Sequence, residues 1–256
     1  MRVIIVTQTF PPRFGGMQSV MSALAKNFSK TIPTFVLPDH HIPDSHPIRS
    51  YKIKFNFSNF PKFLRPLIKK IKLKKILKKD DIIICDSWKS LNALPNTNNK
   101  VVMLAHGQEY LSKSKKNKIN KLLKKVSIVI SSSNYTKNIF LNICKFPETK
   151  IHVIPPTYEL ENDKIKIHNK SSNKKDLILT TISRLEERKG FLPVIKALKN
   201  LLEKKSINNF TWSIYGDGYL KEKINKQIDY YKLNKYIKIK NFIDETSKEQ
   251  ILLNSN

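Results

Sequence analysis

Cysteine is almost missing from this chain. Cys85 and Cys144 are the two present in 256 residues, with no close spacing. That excludes a disulfide framework and a paired-cysteine zinc site, and it fits a reducing compartment. Glycine is scarce as well, at six residues. None of them builds a G-x-G-x-x-G dinucleotide fingerprint or a P-loop. There is no H-E-x-x-H and no nucleophile elbow. His40, His41 and His46 cluster in "PDHHIPDSHP", but that segment is Pro-rich and irregular. The sequence therefore points to no metal and no cofactor. Long apolar runs are missing too. The opening "RVIIVTQ" is too short for a signal sequence, and "DIIICD" and "VVMLA" fall far below membrane-spanning length. The expectation is a cytoplasmic protein, soluble or peripheral on the cytoplasmic face of the membrane.

Negative charge is the other shortage. Twenty acids face 48 Lys plus Arg, for a formal charge of +28. Such a balance suits anionic membranes, nucleic acid or phosphorylated substrates. The chain is also rich in Asn, Ile, Phe and Tyr, as AT-rich coding would give, so much of the charge reads as compositional bias on solvated faces. Arginine stays rare within the excess, at six residues. Two of the six, Arg184 and Arg188, fall in one stretch, "TISRLEERKG".

What is present is alternation. "RVIIVTQ", "TFVLP", "DIIICD", "KVVMLAHG", "SIVISSS" and "IHVIPP" read as strands, most of them apolar on both faces, as strands covered by helices on each side must be. Met17, Val20, Met21, Leu24, Ala25 and Phe28 recur at helical spacing, and "NKINKLLKKV" and "NYTKNIFLNIC" read as further helices. The polar stretch 157–176 is long for a loop inside a compact domain. After it the alternation restarts with "LILTTIS", the helix "PVIKALKNLLEK", "FTWSIYG", the helix "YLKEKINKQIDYY", "YIKIKNF" and the capped helix "TSKEQILLN". The predicted fold is α/β, with two Rossmann-like, doubly wound domains. An N-terminal domain is expected over 1–160, a linker over 161–176 and a C-terminal domain over 177–256. The second domain stops after about three βα repeats, so a chain truncated within it is expected.

Four turns carry the candidate site. In "FPPRFGGMQSV", Gly15 and Gly16 precede a helix N-terminus, a turn suited to an anion. In "AHGQEY", His106 sits at a strand's C-terminal end, where ligands bind in open α/β sheets and where an imidazole can bond a sugar hydroxyl or share a proton. In "ISRLEERKG", Arg184 offers a planar fork and Lys189 a mobile point charge to one diphosphate. Arg188 reads as surface charge paired with Glu186 or Glu187. In "YGDGYL", Gly216 and Gly218 read as structural. Separately, "FPKFLRPLIKKIKLKKILKK", Phe60 to Lys79, carries nine basic residues and no acid. Its stripe of Leu64, Leu67, Ile68 and Ile71, with Ile76 and Leu77 beyond, makes it a basic amphipathic helix suited to an anionic membrane surface.

In this order, the four turn segments resemble the family-4 retaining glycosyltransferases of the GT-B fold. The resemblance covers nearly the whole chain, and "ISRLEERKGFLPVIKAL" is its most specific part. It implies two domains facing across a cleft and metal-independent transfer of a hexose from a nucleotide-diphosphate sugar (a UDP- or GDP-sugar), with retention. It implies that Arg184, Lys189, Gly15 and Gly16 hold the donor diphosphate and that His106 is the catalytic-site histidine near the transferred sugar. The implied acceptor is a sugar or a lipid-linked one, in polysaccharide or lipopolysaccharide biosynthesis, and no nucleic acid. Two features depart from the family. Its paired glutamates, eight positions apart, have no counterpart among the twenty acids; their usual place lies just past Asn256, so part of the donor pocket is expected to be missing. "IPPTYEL" stands where an Asn-Gly turn is common. Two other readings are a non-catalytic binder of anionic membrane or nucleic acid, and a GT-B-type nucleotide-sugar epimerase.

Overall fold

The computed structural model describes residues 1–11, 15–39, 51–53, 57, 60–156, 177–207, 209–241, 243 and 245–253. The histidine cluster at 40–46 and the connection at 157–176 lie outside the described residues. By its contacts the chain divides into two compact units, Met1–Glu161 and Asn162–Asn256.

The first unit runs β1 (Val3–Val6), α1 (Gly16–Ser29), β2 (Thr34–Leu37), β3 (Lys52–Ile53), α2 (Arg65–Ile76), β4 (Ile82–Cys85), β5 (Lys100–Ala105), α3 (Lys116–Leu123), β6 (Ile128–Ser131), α4 (Asn134–Ile143) and β7 (Ile151–Val153). Its seven strands form one sheet in the order β3-β2-β1-β4-β5-β6-β7, and every pairing is parallel. All six strand runs expected from the sequence are present. β3 was not expected, because two residues carry no periodicity.

Alternate residues of the buried strands feed two separate cores, as the pleat requires. Ile4, Val6, Ile83, Cys85, Val101 and Met103 face one way, with Leu73 of α2, Ile119 and Leu123 of α3, and Phe140 and Ile143 of α4. Val3, Ile5, Val36, Ile84 and Leu104 face the other way, with Met21 and Ala25 of α1. Helices thus cover both faces, which is the doubly wound arrangement. The chain leaves β1 toward β2 and later crosses back to β4. The point where the winding reverses therefore lies between β1 and β4, and in open α/β sheets ligands bind beyond the C-terminal strand ends at such a point.

The second unit runs β8 (Leu177–Ile182), α5 (Phe191–Glu203), β9 (Phe210–Tyr215), α6 (Lys221–Tyr230), β10 (Ile237–Lys240) and α7 (Glu245–Leu253). Its strands are parallel in the order β10-β9-β8. Phe191, Ile195 and Leu198 of α5 and Ile224 and Ile228 of α6 pack with Phe210, Trp212 and Ile214 of β9 in one core. Strands that advance one step at a time place their crossover helices on the same face.

Candidate functional site

The site begins at the reversal point of the first unit, with a residue that the sequence did not single out. Asp86 follows β4 and is fully buried. Its Oδ2 accepts from Thr7 Oγ1 (2.7 Å), from Gln8 N (2.7 Å) and from Thr9 N and Oγ1 (3.3 and 3.1 Å). Its Oδ1 accepts from Ser87 Oγ (3.2 Å) and Ser90 Oγ (2.5 Å). A buried carboxylate is tolerated when its lone pairs are filled in this way. The effect is mechanical: the start of the β1–α1 connection is tied to the end of β4. Lys69 of α2 adds a second tie. It is buried, donates from Nζ to Thr7 O (2.8 Å), pairs with Asp39 and lies over the Phe57 ring at 5.2 Å. Burial pushes its ammonium below the usual lysine range, and the Asp39 carboxylate opposes that shift.

His106 follows β5, half-buried, with Nε2 3.0 Å from the backbone oxygen of Asp86. Gly107 beside it has φ +105°, and a Cβ there would meet Thr136 Oγ1 at 3.0 Å. Thr136 lies in the first turn of α4, where Ser133 Oγ caps the helix by accepting its N–H. Gly107 is therefore required both for its backbone conformation and for the close approach of α4.

Gly15 and Gly16 differ from each other. Gly15 has φ +150°, and a Cβ there would lie 2.6 Å from Gln18 Oε1. Gly16 is the first helical residue, has nothing within 4 Å of a built Cβ and needs no unusual φ. No side chain caps α1 and its first turn holds no acid. Among the described residues, no side chain meets the first-turn N–H groups that lie at the positive dipole end of the helix.

In the second unit the structure places Arg184 and Lys189 on the turn between β8 and α5. Both are exposed, and the Arg184 side chain keeps 70% of its surface open. Gly190 is left-handed at φ +73° and opens α5, which also has neither a side-chain cap nor an acid in its first turn. Glu186 sits between two arginines, 3.0 Å from Arg184 Nη1 and 2.7 Å from Arg188 Nε. The hydrogen bond from Arg188 chiefly holds its carboxyl below the usual range; burial opposes this, and the Arg184, Arg188 and Lys189 charges reinforce it. Arg188 takes the surface pairing read from the sequence; the second bond, to Arg184, was not foreseen. The "YGDGYL" turn packs directly beneath. Leu185 N donates to Asp217 O and Leu220 N to Leu185 O. A Cβ at Gly216 would lie 2.0 Å from Ser183 O, and one at Gly218 2.5 Å from Leu185 O. These glycines let the two turns touch. All six glycines of the chain lie on strand-to-helix connections or, for Gly16, at the first residue of the helix that follows.

The basic helix departs from its sequence pattern. α2 turns Lys69 and Leu73 to the sheet, with Ile68 and Ile76 alongside. Phe63, Leu67 and Ile71 are 79%, 56% and 51% exposed. Leu67 and Ile71, at i and i+4, share the outer face of α2, and Phe63 is exposed in the turn that precedes the helix. The expected stripe is therefore split, and Leu67 and Ile71 face outward. The reason is Lys69, which reads as surface charge in a linear pattern but reaches a carbonyl and a carboxylate inside. Among the described residues no helix is long and apolar enough to cross a membrane, and no three His, Cys, Asp or Glu side chains are placed to hold a metal ion.

Two parallel α/β units with polar turns at their strand ends define a GT-B protein, a fold shared with solved glycosyltransferases. An S. aureus TarM mutant in complex with fondaparinux, alpha-GlcNAc-glycerol and UDP matches with TM-score 0.72 at 15% identity, over 100% of this chain and 80% of its own. The lipopolysaccharide outer core galactosyltransferase WaaB matches with TM-score 0.67 at 15% identity, over 100% and 72%. A trehalose-6-phosphate synthase, solved for the mechanism of enzymatic glycosyltransfer with retention, matches with TM-score 0.65 at 13% identity, over 98% and 75%. No curated protein matches the sequence. The family model described as Glycosyltransferase Family 4 matches residues 14–162, and the model described as Glycosyl transferases group 1 matches residues 163–256. The first match spans more than half of the chain, and the chain belongs to glycosyltransferase family 4.

Proposed function

We propose that this glycosyltransferase moves a hexose from a UDP- or GDP-sugar to a polysaccharide or lipid-linked acceptor, with retention and without a metal ion. The observation that carries the donor reading is the β8–α5 turn. Arg184 and Lys189 stand exposed beside a helix N-terminus that no side chain caps. As the glycosidic bond to the donor breaks, charge develops on the departing diphosphate. A guanidinium fork, an ammonium and free helix N–H groups meet that charge with fixed dipoles and cations. That is the stabilisation a divalent ion would otherwise supply. Gly15 and Gly16 offer the same kind of backbone surface at α1. His106 is the residue proposed beside the transferred sugar. The domain boundaries proposed are 1–160 and 177–256, joined by 161–176. UDP in the TarM complex and glycosyltransfer with retention by the trehalose-6-phosphate synthase support this reading by similarity.

The acceptor reading rests on α2. Its outward Leu67 and Ile71, with the exposed Phe63 in the turn before it, lie among the lysines of residues 60–79, a composition suited to the headgroup layer of an anionic membrane. Peripheral attachment on the cytoplasmic face would bring the protein to a lipid-linked acceptor. The test of the donor site is calorimetric titration of UDP and of GDP into the wild type, Arg184→Ala and Lys189→Ala. Each charge-assisted contact is worth about 1.5–3 kcal/mol, so each variant is expected to bind roughly 10- to 100-fold more weakly with its circular dichroism unchanged. Equal affinity in all three proteins would remove the diphosphate assignment.

A further inference from the structure

The reversal point holds His106 by one nitrogen, and the chemistry of the partner decides which nitrogen is left. Nε2 lies 3.0 Å from the backbone oxygen of Asp86. A carbonyl oxygen only accepts, so the ring must donate through Nε2–H. A neutral imidazole has one N–H and one lone pair, so the lone pair then sits on Nδ1. Nδ1 has no hydrogen-bond partner among the described residues.

We propose that Asp86 is a positioning residue that holds His106 in the Nε2–H tautomer, so that the neutral ring offers its substrate an acceptor and not a donor. The carbonyl can impose this because it cannot turn away. Asp86 N donates to Val6 O at 3.3 Å, and the carboxylate of the same residue is held by six donors from residues 7, 8, 9, 87 and 90. Lys69 fixes the opposite side of the clamp through Thr7 O. A sugar hydroxyl can donate as well as accept, so it would meet Nδ1 by giving its O–H. The part that concerns the sugar rests on the reading of His106 under "Proposed function"; the tautomer itself does not.

The experiment is long-range nitrogen–proton NMR of the full 256-residue chain labelled in its histidine rings. The His106 signals are assigned by their loss in His106→Gln. The expected result is one ring with a protonated Nε2 and an unprotonated Nδ1. In Asp86→Ala, with circular dichroism unchanged, the same ring is expected to show both tautomers in exchange. If Asp86→Ala does not fold, Ser90→Ala and Thr9→Val each remove one donor to the carboxylate, and a partial shift toward the second tautomer is expected in each. A protonated Nδ1 in the wild type overturns the proposal. So does a wild-type tautomer that persists unchanged in a folded Asp86→Ala, or in both milder variants. The failure of the glycosyltransfer reading looks different: the Nε2–H tautomer would stand while His106→Gln left turnover of UDP-glucose or GDP-mannose unaltered.

Discussion

Glu186 pairs with Arg184, the guanidinium proposed to meet the donor diphosphate. Because its carboxyl is held low in the folded protein, chiefly by Arg188, its pairing is complete above the ordinary glutamate range and is lost as pH falls through the depressed value. Exposed pairs of this kind are weak. Glu186→Gln is therefore expected to leave stability unchanged and to tighten UDP by roughly two- to five-fold, measured by calorimetry. Looser binding would show that Glu186 orders Arg184 and does not compete for it. The glycines make a sharper pair. Gly190→Ala forces a side chain into the left-handed region, at about 1–2 kcal/mol, and is expected to lower the melting temperature. Gly16→Ala meets no atom and no strained φ, and alanine favours the helix by up to ~1 kcal/mol. It is expected to keep or raise the melting temperature while weakening UDP binding. Unchanged binding would mean that the α1 turn does not face the diphosphate.

Among the elements, α2 shows where linear pattern misleads. Apolar spacing in residues 60–79 marked a helix with one greasy side, and the helix is present. Which side meets the sheet was not legible, because the inward position is held by Lys69, whose ammonium is satisfied by Thr7 and Asp39. The outward apolar side chains predict vesicle binding. Phe63→Asp with Leu67→Asp is expected to abolish co-sedimentation with phosphatidylglycerol vesicles and leave the fold intact, since neither side chain is buried. Persistent binding would assign the attraction to net charge alone. The β8–α5 and β9–α6 turns form a second coupled element. Gly218→Ala would drive a Cβ into the backbone of Leu185. A loss of stability is expected together with weaker UDP binding, although Gly218 need not touch the ligand. The sequence assigned these glycines to structure, and the contact with the Arg184 turn supplies the reason.

For the whole molecule, the strands and helices were readable because each is a local pattern: continuous apolar runs for buried strands, and 3.6-residue spacing for the helices between them. The order of the sheet was not, since it depends on crossovers between distant segments. One long-range tie joins the N-terminal ends of the adjacent strands β1 and β4. Arg2 Nε and Nη2 meet the buried Asp81 carboxylate at 2.9 and 2.5 Å. Burial alone would raise the Asp81 carboxyl, but the bonds from Arg2 and Lys78 N bring it below the usual range. The stability it contributes is present above the ordinary aspartate range and disappears as pH falls through the lowered value. Asp81→Asn is expected to cost about 1.5–3 kcal/mol at neutral pH and to flatten the acid limb of a melting-temperature profile; an unaltered limb would place acid sensitivity elsewhere.

By itself the sequence determined the α/β alternation, the likeness to family 4 and the placing of Arg184, Lys189 and His106 on the connections that follow strands, since all of these are carried by neighbours along the chain. Only the tertiary structure decided that Asp86 and Lys69 are interior, that Leu67 and Ile71 of α2 are exposed, and that the Asp86 carbonyl lies 3.0 Å from His106 Nε2. Residues 7 and 86 are far apart in sequence, and a charged side chain reads as solvent-facing until folding shows which donors and acceptors surround it.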